Sequence, residues 1–215
     1  MKKKVTITIG REYGSGGREV GEKLAERLGI TFLDKEILNE LSRKSGISVE
    51  ELMDNEEIKS RPFREAIIPY DFEGETLSER LFDMQADLIL NKSRETSCVV
   101  VGRCADVILA YQEDVINIFI YANMEDKVRR IKRLYHLGDR QKAAKVIKKT
   151  EKIRRNYYQY YTDEIWGDKR NKALLINTSE TGVDGAVELI IAYLRLKGYL
   201  EEETEEELKV DNLEE

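Results

Sequence analysis

Four glycines crowd into positions 10–17 of the stretch GREYGSGGRE, with Ser15 among them, Arg11 and Arg18 close by, and Glu19 next. A turn of this kind, opening a helix, aims several backbone N–H groups and a positive helix terminus at one spot, which suits an anion such as a nucleotide phosphate. The familiar pattern for such a loop is GxxxxGK[ST], in which the lysine reaches the β- and γ-phosphates and the hydroxyl holds magnesium. Neither residue is in place here. Anchored on the helix, Gly17 falls where the lysine belongs and Glu19 falls at the later hydroxyl position; slid by one residue, Arg18 takes the lysine's place and Glu19 the hydroxyl's. The alternative is a glycine-rich turn that binds nothing, but the strand before it and the helix after it are what a phosphate loop requires.

Two further groups of residues bear on phosphate chemistry. Arg103 follows a short apolar run directly and is preceded by Gly102, which permits close approach. Arginine's planar fork engages two phosphate oxygens at once and keeps its charge at all working pH values. The competing reading for Arg103 is a surface ion pair. Arg129, Arg130, Arg133, Arg140, Arg154 and Arg155 form a basic cluster with many lysines around Gly138. For most of these a solvated helix face is expected, yet the concentration also fits a lid closing over polyphosphate, with Arg133 and Arg154 the first to test. Tyr157, Tyr158, Tyr160 and Tyr161 follow on the same helix as Arg154. Tyr157 and Tyr161 share one face and Tyr158 another, so packing is the ordinary role and stacking on a base the alternative.

The elements that must position these groups are legible from periodicity. Val5, Ile7 and Ile9 alternate with Thr6 and Thr8, predicting a buried strand over 5–9. Val20, Leu24 and Leu28 recur at helical spacing and Gly29 supplies a stop. Further strands are predicted at 30–33, 98–101, 115–121 and 173–177. Helices are predicted from Asp34 towards Gly46, from Leu77 to just before Ser97, from Asn123 through Val128, Ile131 and Leu134, from Asp139 towards Tyr161, and over Val183 to Leu194. A capping box at Ser48 and Glu51 opens a short helix with Leu52 and Met53. Residues 60–74, with both prolines, keep no period and read as an excursion. Strands alternating with helices give an α/β fold, a parallel five-stranded sheet flanked by helices. Ligands in such sheets bind beyond the carboxyl ends of the strands, where the glycine loop, Asp34, Gly102 and Arg103 converge.

Composition excludes other classes. The net charge of -6 argues against a general nucleic-acid or anionic-membrane binder. Cys98 and Cys104 show no metal-ligand spacing and read as reduced thiols, His136 as a surface residue, and the start of the chain as too short for a leader or a membrane span. A cytoplasmic protein is expected, with residues 1–200 as one domain and 201–215 as an acidic, disordered tail.

The loop 10–19, the segment FLDKE at 32–36, VGRCAD at 101–106 and the run 152–158 with Arg154 and paired tyrosines together resemble the cytidylate kinase-like family, a nucleoside monophosphate kinase branch of the P-loop fold. The resemblance spans roughly residues 4 to 195 by element order. It implies transfer of the γ-phosphoryl group of ATP to CMP or dCMP with Mg2+. Gly14, Ser15, Gly16 and Gly17 would then cradle donor phosphates, with Arg11, Arg18 and Glu19 beside them. Asp34 and Arg103 would sit at the acceptor, and Arg133 and Arg154 would bridge donor and acceptor. Residues 46–74 would form the acceptor-binding insertion and 134–150 the lid. Two acidic positions of the family pattern are Val101 and Cys104 here, so an acidic acceptor contact moves to Asp106, and the loop's missing charge must come from Arg11 or Arg18. Two alternatives stand beside this reading: a kinase for another small metabolite, and a nucleotide-binding sensor without phosphoryl transfer.

Overall fold

In the computed structural model, which describes residues 2–52 and 77–201, five strands run in chain order as β1 (Thr6–Arg11), β2 (Thr31–Leu33), β3 (Cys98–Val101), β4 (Val115–Tyr121) and β5 (Leu174–Asn177). All neighbouring pairs are parallel, in the spatial order β2-β3-β1-β4-β5. Strand β1 is central, with Ile9 opposite both Val101 and Ile118. Its apolar residues Ile7 and Ile9 are fully buried, and the intervening Thr6 and Thr8 are buried too. Their hydroxyls find partners inside the sheet: Thr8 Oγ1 donates to Asn117 Oδ1 at 2.7 Å, and Thr6 Oγ1 lies 3.8 Å from Cys98 Sγ. A buried hydroxyl without a partner would cost about 1–3 kcal/mol, so threonine is tolerated in this strand because its neighbours are polar at those two points.

The helices are α1 (Gly17–Leu28), α2 (Lys35–Ser45), α3 (Leu77–Glu95), the single turn α4 (Ala105–Ile108), α5 (Met124–Leu134), α6 (Arg140–Thr162) and α7 (Thr178–Leu196). Gly29 and Gly46 end α1 and α2 in the left-handed conformation expected of a glycine stop. The Ser48 and Glu51 box is formed reciprocally, Glu51 N donating to Ser48 Oγ and Ser48 N to Glu51 Oε2, each at 3.2 Å. Asp139 caps α6 by accepting from Gln141 N at 2.7 Å. One face of the sheet is covered by α1 and α7, with Val20, Leu24, Val187, Ile190 and Leu194 in one core. On the other face, Ile37, Ile89, Ala105 and Leu109 pack on Cys98 and Val100.

Several boundaries differ from the periodicity reading. Strand β1 continues through Gly10 and Arg11, because Arg11 pairs with Ile120 and the Phe119 ring presses on Gly10, where a Cβ would lie 2.7 Å from Phe119 Cδ2. Leu134 faces outward, 57% exposed, although it keeps the period of α5; it is the helix's last residue, and none of the described residues buries it. Helix α7 starts five residues earlier than Val183, as an Asn177-capped turn joined to the main helix through Gly182. The expected excursion over 60–74 and most of the insertion at 46–74 fall outside the described residues, as does the tail after Glu201. Among the described residues, no helix is long and apolar enough to cross a membrane.

Candidate functional site

Residues 12–16 link β1 to α1 at the carboxyl edge of the sheet, and their geometry depends on glycine. Gly14 and Gly16 have φ of 86° and 84°. Helix α5 passes so close that a Cβ on Gly14 would meet Ile131 Cγ1 and Lys127 O at 3.1 Å. Ser15 is buried and its hydroxyl serves the loop itself, donating to Glu12 O at 2.9 Å and accepting from Gly17 N at 3.3 Å. Its carbonyl accepts from Thr178 Oγ1 at 2.6 Å, which ties the loop to the start of α7. Ser15 therefore shapes the cradle with its side chain.

Of the cations near the loop, Arg18 is turned aside. Its Nε donates to Asp34 Oδ2 at 2.7 Å and its Nη1 to Glu22 Oε2 at 2.8 Å, with the side chain half exposed. Arg133 is exposed on α5 and is not brought to the loop. The guanidinium that does lie against the loop belongs to Arg130: a Cβ on Gly16 would be 2.9 Å from its Nη2, and its Nη1 donates to Glu19 Oε2 at 2.5 Å. Glu19, at the hydroxyl's place in the loop pattern, thus carries a basic partner from α5. Sequence reasoning left Arg130 within a solvated basic face; the signal that separates it is its i,i+3 spacing from Lys127, on the side of α5 that meets the loop.

Beneath the loop, Lys127 is buried between two carboxylates, Glu12 Oε2 at 2.8 Å and Glu151 Oε1 at 2.7 Å. These hydrogen bonds raise its pKa although burial, the largest single influence, opposes them. Tyr13 packs beside Val128, Ile131, Ala143 and Ile147, so the first half of α6, within the stretch expected as a lid, is in contact with a loop residue.

The opposite wall is the turn after β3. Gly102, Arg103 and Cys104 are three successive residues in the left-handed region, with φ of 73°, 61° and 54°. A non-glycine residue there costs on the order of 1 kcal/mol or more. The turn carries Arg103 onto Gln85: Nη1 donates to Gln85 Oε1 at 3.2 Å, while Gln85 Nε2 donates to Arg103 O at 3.4 Å and Tyr157 Oη at 3.3 Å. The Arg11 guanidinium lies against Gly102, where any Cβ would collide with it. Arg154 reaches the same place from α6, donating from Nη1 to Arg11 O at 3.0 Å with its guanidinium 5.3 Å above the Tyr13 ring. Burial holds Arg11 well below the ordinary arginine value and also lowers Arg103 and Arg154; the neighbouring Arg154 charge adds to the effect at Arg11, and Asp34 opposes it at all three.

Beyond Arg103 lies a small pocket lined by Leu38, Leu41, Leu81, Phe82, Gln85 and Tyr157. The Phe82 and Tyr161 rings stack at 4.0 Å, so these aromatics pack against α3, as the ordinary reading of the tyrosine run expects. Asp106 is held elsewhere: Lys172 Nζ donates to it at 2.6 Å and Tyr158 Oη at 2.9 Å, which fastens α4 to the segment before β5. Among the described residues, no group of three or more His, Cys, Asp or Glu stands together as a metal cage. Magnesium bound with nucleotides takes most of its oxygens from phosphates and water and one or two from carboxylates; of the carboxylates at the loop, Glu19 is engaged by Arg130 and Glu12 by Lys127.

This arrangement of loop, arginine turn and sheet order can be set beside known proteins. Residues 6–180 match the sequence model of the cytidylate kinase-like family. The chain belongs to that family. Among solved structures, this cytidylate kinase-like chain is similar to an uncharacterized protein from Eubacterium ventriosum ATCC 27560, with 29% identity and a TM-score of 0.69 over 89% of this chain and 99% of that one. Shikimate kinase from Bacteroides thetaiotaomicron shares the fold at 12% identity and a TM-score of 0.53, over 89% of this chain and 98% of that one. Shikimate kinase from Acinetobacter baumannii, in complex with shikimate, does so at 18% and 0.51, over 93% and 97%. No curated protein matches the chain. The cytidylate kinase-like chain therefore carries a P-loop kinase fold with a variant loop.

Proposed function

We propose that this protein transfers the γ-phosphoryl group of ATP to a nucleoside monophosphate, CMP or dCMP. The observation that carries the reading is the position of Arg154, which hydrogen-bonds the loop backbone at Arg11 and lies close enough to Arg103 for the two charges to act on each other. One side chain thereby joins the donor-holding loop to the turn that would hold an acceptor.

Phosphoryl transfer asks little covalent work of a protein; it asks for alignment and for positive charge around the oxygens of the transferring group. The amides at the start of α1, with Gly14, Gly16 and Gly17, hold the donor's phosphates, and Arg130 supplies a cation beside them. Arg154 stands between donor and acceptor. Arg103 holds the acceptor, with Asp34 keeping Arg18 at that side of the site and the neighbouring pocket receiving the acceptor's body. Magnesium bound with ATP would supply further positive charge at the phosphates. In this reading residues 46–74 form the acceptor-binding insertion, 134–150 the lid, and the protein works in the cytoplasm, consistent with two buried free thiols.

The test is a coupled assay of ADP formation with ATP, magnesium and a panel of CMP, dCMP, UMP, AMP, GMP and shikimate. Turnover is expected with CMP and dCMP, and Arg154→Met should lower it about ten- to hundredfold, the weight of one charge-assisted contact. Folded protein that binds ATP by calorimetry but forms no ADP with any acceptor would instead be a nucleotide sensor, a reading for which the Arg130 and Glu19 pair at the loop is the favouring observation.

A further inference from the structure

Arg11 is the feature that the proposed chemistry leaves unused. Its backbone belongs to the loop's entry, but its side chain leaves the donor side and crosses to the turn after β3, against Gly102. There its Nε is sealed from solvent and meets no hydrogen-bond acceptor. Its guanidinium forms no hydrogen bond or ion pair among the described residues. Asp34 is the carboxylate whose charge reaches it, and one oxygen of Asp34 is already held by Arg18. Arg154 and Arg103, both arginines, are its other close charged neighbours together with Arg18.

A largely desolvated guanidinium set among like charges is unfavourable by itself, since desolvating an ion costs several kcal/mol unless a counter-charge and hydrogen bonds compensate. Three features fix the arrangement around it. Gly102 gives it room, Arg154 is fixed by the carbonyl of Arg11 itself, and Arg103 is fixed by Gln85. A group that completes this arrangement has to be small, carry more than one negative charge and offer several acceptor oxygens. A carboxylate offers two oxygens and one charge, too few for three forks. A phosphate monoester meets all the requirements, because arginine forks pair with tetrahedral oxyanions through parallel N–H···O bonds.

We propose that Arg11, Arg103 and Arg154 form one preformed seat for a tetrahedral dianion, the phosphate of the acceptor. Arg11 is thereby moved from the donor to the acceptor side. The charge missing from the loop's lysine position reappears across the site, at the end of β1. The inference rests on the phosphotransfer reading for the identity of the acceptor, but the seat itself is tested without catalysis.

Inorganic phosphate serves as the probe, titrated calorimetrically into the full-length wild-type protein, Arg11→Met and Arg11→Lys, with ADP titrated in parallel. Arg11→Met should weaken phosphate at least about tenfold, the loss of one charge-assisted contact, and leave ADP within about twofold. Arg11→Lys, which keeps the charge but loses the fork, should fall between. Without any anion, Arg11→Met should melt at or above the wild-type temperature, because an uncompensated buried charge has been removed. Phosphate should stabilise the wild type and lose that effect in Arg11→Met. The inference is overturned if Arg11→Met binds phosphate as the wild type does, if it weakens ADP as much as phosphate, or if it melts lower without anion, which would make Arg11 a structural member. Failure of the kinase reading looks different: phosphate binding intact and dependent on Arg11, with no ADP formed from any monophosphate.

Discussion

Cys98 opens β3 and Cys104 lies in the turn after it, next to Arg103, and both are buried. Burial pushes both thiols upward, Cys104 further with the help of Asp106. The thiolate is the reactive form, so both cysteines should resist iodoacetamide in the native protein at pH 8 and react once urea unfolds it, which mass spectrometry reads directly. The linked effect on stability has a definite sign. Below the unfolded thiol value of about 8.5 both states hold the proton and the thiols add no pH dependence. Above it the unfolded chain loses protons that the fold retains, so stability falls as pH rises through about 9 and beyond, and Cys98→Ala with Cys104→Ala should flatten that fall in urea titrations. At this scale the sequence was partly readable. Arg103 and Arg154 could be singled out by place, one after an apolar run and one on a basic helix; the structure bonds Arg154 to the loop at Arg11 and holds Arg103 on the facing turn, against Gln85. Arg130 could not, because which of several arginines on a helix meets a loop depends on the helix's rotation against it. Nor could the destination of Asp106, which Lys172 and Tyr158 claim from distant stretches.

Helix α6 links these residues mechanically. Its first half packs on α5 and Tyr13, Glu151 joins the buried Lys127, Arg154 reaches the loop, and Tyr157 reaches Gln85. Lys127→Met would leave Glu151 buried and Glu12 partly buried without their cation and should cost about 3 kcal/mol in urea unfolding, the low end of what breaking a buried ion pair costs. Lys127→Met combined with Glu12→Gln and Glu151→Gln should recover most of that loss, since no lone charge is then left inside. The helices themselves were legible from apolar spacing and from caps such as Asp139 and the Ser48 and Glu51 box. What spacing could not show is that α6 lies against the loop through Tyr13, a contact made by one aromatic residue outside any periodic run.

For the molecule as a whole, alternation of strands and helices was enough for a parallel α/β sheet of five strands. It was not enough for the spatial order, because β3 is inserted between β2 and β1, and the crossover from β2 to β3 runs through the long stretch that includes α2 and α3. That order gives the two halves of the site different mechanical footing. Strand β1, which leads into the phosphate loop, is hydrogen-bonded on both sides and its core residues are fully buried, whereas β2, which leads to Asp34, is three residues long and lies at the sheet's edge. Amides of β1 should therefore exchange with deuterium only when the whole protein unfolds, and those of β2 through smaller, more frequent openings, a contrast measurable by mass spectrometry. The loop thus hangs from a strand clamped on both sides, whereas Asp34 and the Arg18 it holds hang from a short edge strand, so substitutions can accumulate on the β2 side of the cleft without disturbing the loop.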